Sequence, residues 1–255
     1  TCIVKGPTEQ RMVERIKSLQ KKFSKLIVAG CMPDVQAERI KQLVPKAILL
    51  GSHHFNSIAK AAKLLVEKRI DEKKQDSLIN KKNEIRLCMP KIKQNSVVGI
   101  TQISEGCVGN CTFCITKFAK GKLFSYPQDK IIKNIQNDLM GRCKEIWLTS
   151  QDNAAYGLDY GKQLLPELLN EIIKIRKKFF IRLGMMNPNN VIPILNELIE
   201  CYKNEKMFKF LHIPLQSGSN KVLRDMNRKY KLKDFLKIVK TFRKEFPFLT
   251  LSTDI

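Results

Sequence analysis

Short apolar runs alternate with amphipathic segments along the chain. In its first part, apolar runs over 25–30 and 47–51 predict buried strands, and helical spacing predicts helices over 8–22, 35–44 and 56–68. Strands that alternate with helices in this way are typical of a parallel sheet covered by helices. The sequence therefore predicts an α/β fold with a parallel sheet in its N-terminal part.

The second part of the chain repeats this alternation with longer units. Strands are predicted over 97–103, 145–149, 179–184, 209–215 and 249–254. Helices are predicted over 128–140, 163–177, 190–203 and 231–244. Such units suit a complete or partial (β/α) barrel, in which the functional site lies at the C-terminal ends of the strands.

A charged stretch separates the two α/β regions. Residues 68–82 are dense in Lys, Asp and Glu and contain few apolar side chains, as is typical of a solvated linker or insertion. We therefore expect an N-terminal domain over 1–85, a linker over 86–96 and a partial barrel over 97–255.

Three cysteines follow the first predicted barrel strand in a loop that contains Gly and Asn. Cys107, Cys111 and Cys114 have the spacing C-x3-C-x2-C, and the loop has no fourth cysteine. Three thiolates hold three corners of a [4Fe-4S] cluster and leave one iron without a protein ligand. An open coordination position is also what distinguishes a catalytic zinc from a structural one. The spacing therefore indicates a cluster that takes part in chemistry.

Other roles for these cysteines fit the pattern less well. Zinc sites usually show two close cysteine pairs or a mixture of Cys and His, and no second pair lies near this loop. Bacterial ferredoxins use a different order of spacings and a fourth cysteine. A disulfide framework is not expected in a chain of 255 residues with eight scattered cysteines and no visible secretory segment.

Composition narrows the class of protein and its partners. Hydrophobic residues make up 43% of the chain, which is enough for a packed core, and no apolar run approaches transmembrane length. Cysteines that serve a metal rather than disulfides predict a reducing, cytoplasmic location. The formal net charge of +23 predicts attraction to polyanions such as RNA. On charge alone, an anionic membrane surface would serve equally well. A proteome rich in Lys throughout is a further alternative.

The run from Glu105 to Cys114 resembles the signature of the radical S-adenosylmethionine (SAM) enzymes in its spacing, in Phe113 before the last cysteine and in the preceding strand. The resemblance implies that the amino and carboxylate groups of SAM chelate the open iron, and that electron transfer from the reduced cluster yields a 5′-deoxyadenosyl radical. Contacts to SAM are predicted for residues near strand ends: Phe113, Gln151, Asp152, Arg182, Gln216, Ser217 and Arg228. Their structural alternatives are a core aromatic for Phe113, loop capping for Gln151 and Asp152, and an ion pair for Arg182. For Arg228, an RNA phosphate is the alternative ligand.

A second cysteine pair occurs in the N-terminal part. Cys2 lies at the chain start and Cys31 follows the predicted strand 25–30; spacing alone leaves both a metal role and buried structural thiols open. The runs Thr1–Lys5 and Val28–Pro33 resemble two of three cysteine motifs of the radical-SAM methylthiotransferases. The resemblance implies a second, auxiliary [4Fe-4S] cluster held by Cys2, Cys31 and a family cysteine upstream of Thr1, which is therefore expected to be missing from this chain.

Further motifs are similar to the archaeal and eukaryotic branch of that family. They include Ile115–Gly121, with Lys120 where the branch usually has Arg, and the runs Glu145–Asp152, Arg182–Met185 and Leu211–Ser219. The branch adds a methylthio group to C2 of N6-threonylcarbamoyladenosine beside the tRNA anticodon. The resemblance thus implies a tRNA anticodon stem-loop as substrate and a flavodoxin or ferredoxin as electron donor.

The resemblance also implies a chain that is incomplete at both ends, since the family continues with another strand and a small RNA-binding domain. Two alternative functions stay open at this point. Methylthiolation of a ribosomal protein fits the cysteine motifs but not the 115–121 stretch. A non-catalytic iron–sulfur protein that binds RNA fits the charge and the missing ends.

Overall fold

The structure is a computed structural model that describes residues 1–66, 78–80, 82–89 and 97–255. These residues form two compact units, Thr1–Glu84 with Cys114–Gly121 and Ile85–Phe113 with Lys122–Ile255. Most of the charged stretch 68–82 and part of the predicted linker 86–96 lie outside the described residues. The domain limits given above therefore stay predictions.

The first unit has the predicted alternation of helices and parallel strands. Its elements are α1 (Gly6–Lys22), β1 (Ile27–Gly30), α2 (Cys31–Leu43), β2 (Ile48–Gly51), α3 (Ile58–Val66) and α4 (Thr116–Lys120). Strand β1 pairs with β2 in parallel, and Leu78 bridges to Leu50 in the same direction. Every residue of β2 is buried, as expected of a strand that is covered on both faces of a parallel sheet.

The second unit contains the remaining elements. They are β3 (Val98–Gln102), β4 (Ser104–Glu105), β5 (Phe124–Ser125), α5 (Gln128–Met140), β6 (Glu145–Thr149), α6 (Leu165–Ile173), β7 (Phe180–Leu183), α7 (Pro188–Val191), α8 (Leu195–Lys203), β8 (Phe210–His212), α9 (Asn220–Asp225), α10 (Leu232–Glu245) and β9 (Thr250–Ser252). Its core is formed mainly by buried aliphatic side chains from the strands and from α5, α6, α8 and α10.

The strands of this unit follow one another in chain order. Strands β3, β6 and β7 form a parallel sheet, and β8 pairs in parallel with β9. The backbone N–H of Ile181 in β7 donates to Lys206 O at 2.7 Å, and Phe208 N donates back to Ile181 O at 3.0 Å, which continues the order from β7 toward β8. The predicted α/β class with a partial barrel is confirmed.

Two helices differ from their predicted extents. The helix predicted over 163–177 spans only Leu165–Ile173, and the one predicted over 190–203 is divided into α7, a 3₁₀ turn at Ile192–Ile194 and α8. Pro193 lies in that turn and has no N–H to donate, so it interrupts a continuous helical ladder. Strands β8 and β9 are also shorter than predicted.

Four short elements were not predicted from the sequence. The antiparallel pair of β4 with β5 has two residues in each strand, and α4 and α9 have five and six residues. Elements of this length are too short to show a period of two or of 3.6 residues. They matter to the site nevertheless, since β4, α4 and α9 all lie close in sequence to its residues.

A buried side chain on α5 connects the helix to two other segments. Asn134 Nδ2 donates to Thr101 Oγ1 of β3 at 2.9 Å, and Asn134 Oδ1 accepts from Cys88 N at 3.0 Å. Asn134→Ala removes both hydrogen bonds and leaves the buried Thr101 hydroxyl without this partner, so we expect a loss of about 1–3 kcal/mol in the free energy of unfolding. Urea denaturation measures this, with Asn137→Ala on the exposed face of the same helix as the control. Equal losses in the two variants would contradict the role of Asn134.

A candidate cofactor site at the strand ends

The cysteine loop brings two sulfur atoms close to a glycine. Gly109 N donates to Cys107 Sγ at 3.2 Å. A Cβ placed on Gly109 would lie 3.3 Å from Cys107 Sγ and 3.8 Å from Cys111 Sγ. The missing side chain at position 109 therefore leaves room beside both sulfurs, as a bound inorganic cluster would require.

The turn after α9 holds the same loop from another side. Thr112 N donates to Met226 O at 3.2 Å, and the Thr112 hydroxyl donates to Asp225 O at 3.2 Å. Asn227 Nδ2 donates to Asn110 O at 2.7 Å, and Asn227 has a left-handed φ of +56°. Sequence reasoning did not assign Asn227 a role, because its partner is distant in the chain and has no pattern of its own.

The start of the loop is held by a buried ion pair. The Arg86 guanidinium contacts the Glu105 carboxylate, and both side chains are almost inaccessible. Burial lowers the pKa of Arg86, but the Glu105 charge more than offsets this, so the net shift is upward and the guanidinium keeps its charge. Sequence reasoning missed Arg86, which lies in a segment without helix or strand periodicity.

The third cysteine belongs to the other unit. Cys114 precedes α4 and is grouped with the N-terminal residues, whereas Cys107 and Cys111 belong to the second unit. Among the residues that the structure describes, no three His, Cys, Asp or Glu side chains are arranged to hold a metal ion. The ligand set Cys107, Cys111 and Cys114 therefore stays a prediction, supported by the spacing and by the room at Gly109.

Arg182 is stacked between two aromatic rings of the partial barrel. Its guanidinium carbon lies 4.6 Å from the ring centroid of Trp147 in β6 and 4.3 Å from that of Phe210 in β8. The structural ion pair considered for Arg182 is not found among the described residues. Stacking fixes the plane of the guanidinium while its edge N–H groups stay able to bind a carboxylate. Its predicted contact with SAM stays a prediction.

Asp152 holds the ends of two neighbouring strands together. Its Oδ1 accepts from Ala154 N at 3.1 Å and from Asn187 N at 3.0 Å, and its Oδ2 accepts from Asn190 Nδ2 at 2.7 Å. Burial raises the pKa of Asp152 to about 6, although these hydrogen bonds and the charge of Arg228 act in the opposite direction. Asp152 thus positions the loop after β7.

Several polar atoms near these strand ends lack a partner. Within the described part of the chain, no hydrogen bond is made by four buried atoms: Gln151 Oε1, Asn153 Oδ1, Asn187 Oδ1 and Arg228 Nε. Buried polar groups are almost always paired in native proteins, so a group of unpaired ones is typical of a place where a polar ligand binds. The residues present therefore fit a cofactor with amino, carboxylate and hydroxyl groups.

The remaining predicted contacts lie on the cysteine loop and around β8. Phe113 is 53% exposed, so it is not a core aromatic, and its ring centroid lies 5.4 Å from the guanidinium carbon of Arg228. Gln216 follows β8 with a left-handed φ of +70°, and Ser217 Oγ accepts from Ser219 N at 3.1 Å. Their contacts with SAM stay predictions.

The second cysteine pair lies together in the first unit. Cys31 N donates to Thr1 O at 3.1 Å, and the Thr1 hydroxyl donates to Ala29 O at 3.0 Å, so the chain start is fixed beside the end of β1. Burial raises the pKa of the Cys31 thiol, the positive charge of Lys120 lowers it, and the nearby Cys2 raises it. Cys2 and Cys31 are therefore close enough to interact electrostatically.

Comparison with known proteins identifies the family of the second unit. The model of the radical SAM superfamily matches residues 101–254, which include all three loop cysteines and the strand ends described above. The chain belongs to the radical SAM superfamily. This membership supports an iron–sulfur cluster and SAM as its cofactors. The model of an uncharacterized protein family, UPF0004, matches residues 1–51, which include Cys2 and Cys31.

Relatives of this radical SAM protein occur in archaea and animals. A Pyrococcus abyssi protein named as a probable threonylcarbamoyladenosine tRNA methylthiotransferase is 43% identical over all of this chain and 59% of its own length. The Mus musculus threonylcarbamoyladenosine tRNA methylthiotransferase is 34% identical over all of this chain and 44% of its own length. The chain thus spans 59% or less of these relatives.

Solved structures support the fold. The radical SAM methyltransferase TsrM from Kitasatospora setae, bound to tryptophan and a SAM analogue, matches with a TM-score of 0.65 over 95% of this chain and 51% of its own. The cobalamin-dependent radical SAM enzyme OxsB matches with the same score over 89% of this chain and 35% of its own. Both are 12% identical, so the likeness concerns the fold alone.

No helix in the described parts of this radical SAM protein combines the length and the hydropathy that a membrane crossing needs.

The chain start beside Cys31 depends on a glycine. Gly30 has a φ of +118°, and a Cβ on it would lie 2.5 Å from Thr1 O. Gly30→Ala is therefore expected to displace Thr1 and Cys2, to destabilise the protein and to speed alkylation of Cys2. The control is Gly161→Ala, because Gly161 has a φ of +90° but a Cβ on it would meet no atom within 4 Å. This substitution should lower the free energy of unfolding only by the backbone strain, about 1–2 kcal/mol. Thermal unfolding and thiol labelling by mass spectrometry measure both effects; equal behaviour of the two variants would contradict this account.

Asp152 gives the stability a defined pH dependence. The pKa of Asp152 is about 6 in the folded protein, whereas the ordinary value for this side chain is 3.8. The folded state therefore keeps the proton up to a higher pH than the unfolded state does. The contribution of Asp152 to the free energy of unfolding therefore falls by about 3 kcal/mol as the pH rises from 3.8 to about 6, and it is constant at higher pH. Urea denaturation across this interval should show the decline in the wild-type protein but not in Asp152→Asn. The same pH dependence in both proteins would contradict the burial of an ionisable carboxyl.

Proposed function

We propose that this chain acts as a tRNA methylthiotransferase, which adds a methylthio group to C2 of N6-threonylcarbamoyladenosine beside the anticodon. The observation that carries the proposal is the presence of two separate cysteine sets in one radical SAM protein. Cys107 and Cys111 lie around Gly109, and Cys2 and Cys31 lie together in the first unit. A radical SAM reaction needs only the first set, so the second suits a sulfur-handling step. The names of the relatives agree with this assignment.

The first proposed cofactor is a [4Fe-4S] cluster held by Cys107, Cys111 and Cys114, with SAM at the open iron. When bound, these groups supply the one-electron chemistry that activates an unreactive C–H bond. Gly109 leaves room for the cluster, and the hydrogen bond from its N–H to Cys107 Sγ partly offsets the negative charge of that ligand. Thr112 and Asn227 hold the loop in place.

Seven residues are proposed to shape the SAM site. Arg182 and Arg228 donate to its carboxylate, and Phe113 packs against its adenine. Gln151, Gln216 and Ser217 supply hydrogen bonds to its amino and ribose groups. Asp152 acts as a positioning residue, because its oxygens bind the loop at Asn187 and Asn190.

The second proposed cofactor is an auxiliary [4Fe-4S] cluster, for which Cys2 and Cys31 are two ligands. Metal ligation requires thiolates. Burial raises the pKa of the Cys31 thiol, and the positive charge of Lys120 acts against this rise. The branch to which the 115–121 stretch is similar usually has Arg at this position, and Lys120 keeps the charge. The N-terminal domain 1–85 then handles the sulfur, and the barrel 97–255 handles the radical reaction.

The proposed partners follow from the chemistry. The net charge of +23 suits a tRNA anticodon stem-loop, and a flavodoxin or ferredoxin supplies the electron. The reaction takes place in the cytoplasm, where reducing conditions keep the ligand cysteines free. Methylthiolation of a ribosomal protein is not favoured by any observation on the described residues, and the archaeal and animal relatives above carry tRNA names.

Anaerobic reconstitution with iron, sulfide and a reductant tests the proposal. Cys111→Ala is expected to abolish formation of 5′-deoxyadenosine and of the methylthio nucleoside in tRNA, because the cluster loses a ligand. The matched control is Cys88→Ser, which replaces an exposed cysteine outside both sets and should keep both products. Mass spectrometry of the small molecules and of digested tRNA measures them. Reductive cleavage of SAM by Cys111→Ala would overturn the ligand assignment, and RNA binding without any product in the wild-type protein would favour the non-catalytic alternative.

A further inference from the structure

A concave, strongly basic surface lies beyond the end of β8. The residues from α9 to the first turn of α10 enclose a cleft of about 600 Å³. Its walls carry five cationic side chains and one carboxylate: Arg224, Arg228, Lys229, Lys231, Lys233 and Asp234. We call this region the α9–α10 cleft. Its excess of positive charge requires an explanation that the cysteine loop does not provide.

The fold leaves most of this charge without an opposite charge: of the cleft cations, Arg228 acts on the buried Asp152 carboxylate. Among the described residues, no carboxylate forms an ion pair with the cations of the cleft, and Lys229 Nζ donates only to the neutral Asn227 Oδ1, at 2.7 Å. The one carboxylate is already engaged, because Asp234 Oδ2 accepts from Lys231 N at 2.8 Å at the start of α10. The cleft therefore presents a net positive surface to any ligand that enters it.

Two of the lysines occupy positions that disfavour the helix. Lys231 is the N-cap of α10 and Lys233 is its second residue, where the helix dipole favours negative charge. Cations at this end lower the stability of the helix, so their position is not explained by folding. A bound anion would offset both the repulsion from the dipole and the mutual repulsion of the lysines.

A second basic cleft differs from the α9–α10 cleft in how the fold uses its lysines. It has a volume of about 570 Å³, and its charged lining residues are Lys144, Lys177, Lys178, Lys206 and Glu205. There, Lys206 Nζ donates to Ile173 O and Ile175 O at 2.7 Å, and Lys177 Nζ donates to Leu139 O at 3.4 Å. Lys177 and Lys206, two of the four lysines, thus satisfy carbonyl groups at or near helix ends, so the fold itself uses part of this charge.

The α9–α10 cleft is also adjacent to the cysteine loop. Arg228 is part of the cleft wall, and its guanidinium faces the ring of Phe113 at 5.4 Å. The turn between the two helices is bound to the loop through Asn227 and Asn110. An anion held in the cleft would therefore lie beside the loop that carries Cys107 and Cys111.

We infer that the α9–α10 cleft binds backbone phosphates of the RNA substrate and places the target strand beside the cysteine loop. This inference rests on the proposed function. A cleft that is lined by several cations suits a nucleic-acid strand, which binds largely through its repeating phosphates. A standard protein–protein interface uses about 20–30 residues on each side, whereas eight residues line this cleft.

The test compares two charge-reversal pairs on neighbouring surfaces. Arg224→Glu with Lys233→Glu changes the cleft, and Lys237→Glu with Lys240→Glu makes the same charge change on the exposed face of α10 outside it. Fluorescence anisotropy with a labelled anticodon stem-loop RNA is recorded over a range of salt concentrations. The cleft pair should lose at least about tenfold in affinity, and the slope of log Kd against log salt should fall by at least about 1.4. The control pair should retain most of the affinity and nearly the whole slope.

A stability measurement separates binding from misfolding. Lys233→Glu places a carboxylate at the N-terminal end of α10, so it should raise the midpoint of thermal unfolding while it weakens RNA binding. A loss of RNA affinity together with higher stability cannot result from an unfolded protein. A lower midpoint together with weaker binding would overturn the inference.

Two further outcomes would also overturn it. Equal losses of RNA affinity in the cleft and control pairs would show that only overall charge matters. If the cleft pair kept its RNA affinity but an acidic flavodoxin reduced its cluster more slowly, the cleft would be assigned to the electron donor. The binding assay needs no turnover, so a protein that binds RNA through the cleft but forms no methylthio nucleoside would refute the proposed function and leave this inference intact.

Discussion

The close approach of two sulfur atoms to Gly109 is the constraint on which the candidate site depends. A single Cβ at this position would crowd Cys107 Sγ, and the N–H of the same residue is its hydrogen-bond donor. The loop keeps this arrangement because the Arg86–Glu105 pair holds the segment before the cysteines, and the turn at Met226 and Asn227 binds the residues on either side of Cys111. The surrounding strands therefore serve to present an irregular loop in a defined conformation.

The strand ends around the loop combine rigid positioning with unpaired polar atoms. Arg182 is fixed between Trp147 and Phe210, and Asp152 binds the loop after β7 with both oxygens. Next to them, polar atoms such as Gln151 Oε1 and Arg228 Nε have no partner in the described part of the chain. Burial of such atoms costs free energy that a polar ligand would recover, which is how a binding site differs from an equally buried core.

The regular part of the fold and the chemistry of the loop were predictable from the sequence. Strand β6 and helix α5 span the predicted residues, because their apolar periods are long enough to identify, and the cysteine spacing carries its own chemical meaning. The contacts that hold the site were not predictable. Arg86 and Asn227 act through partners far along the chain, and no local pattern marks such pairs. Pro193 shows the same limit, since the apolar pattern around it suggested one continuous helix.

The central claim is that the cysteine loop holds a cluster with one open iron that SAM occupies. The most direct measurement is electron–nuclear double resonance of the reduced, reconstituted protein with SAM labelled by ¹⁵N in its amino group and ¹⁷O in its carboxylate. The account predicts hyperfine coupling of both nuclei to the cluster. A cluster signal that shows no coupling to either nucleus at saturating SAM would contradict it.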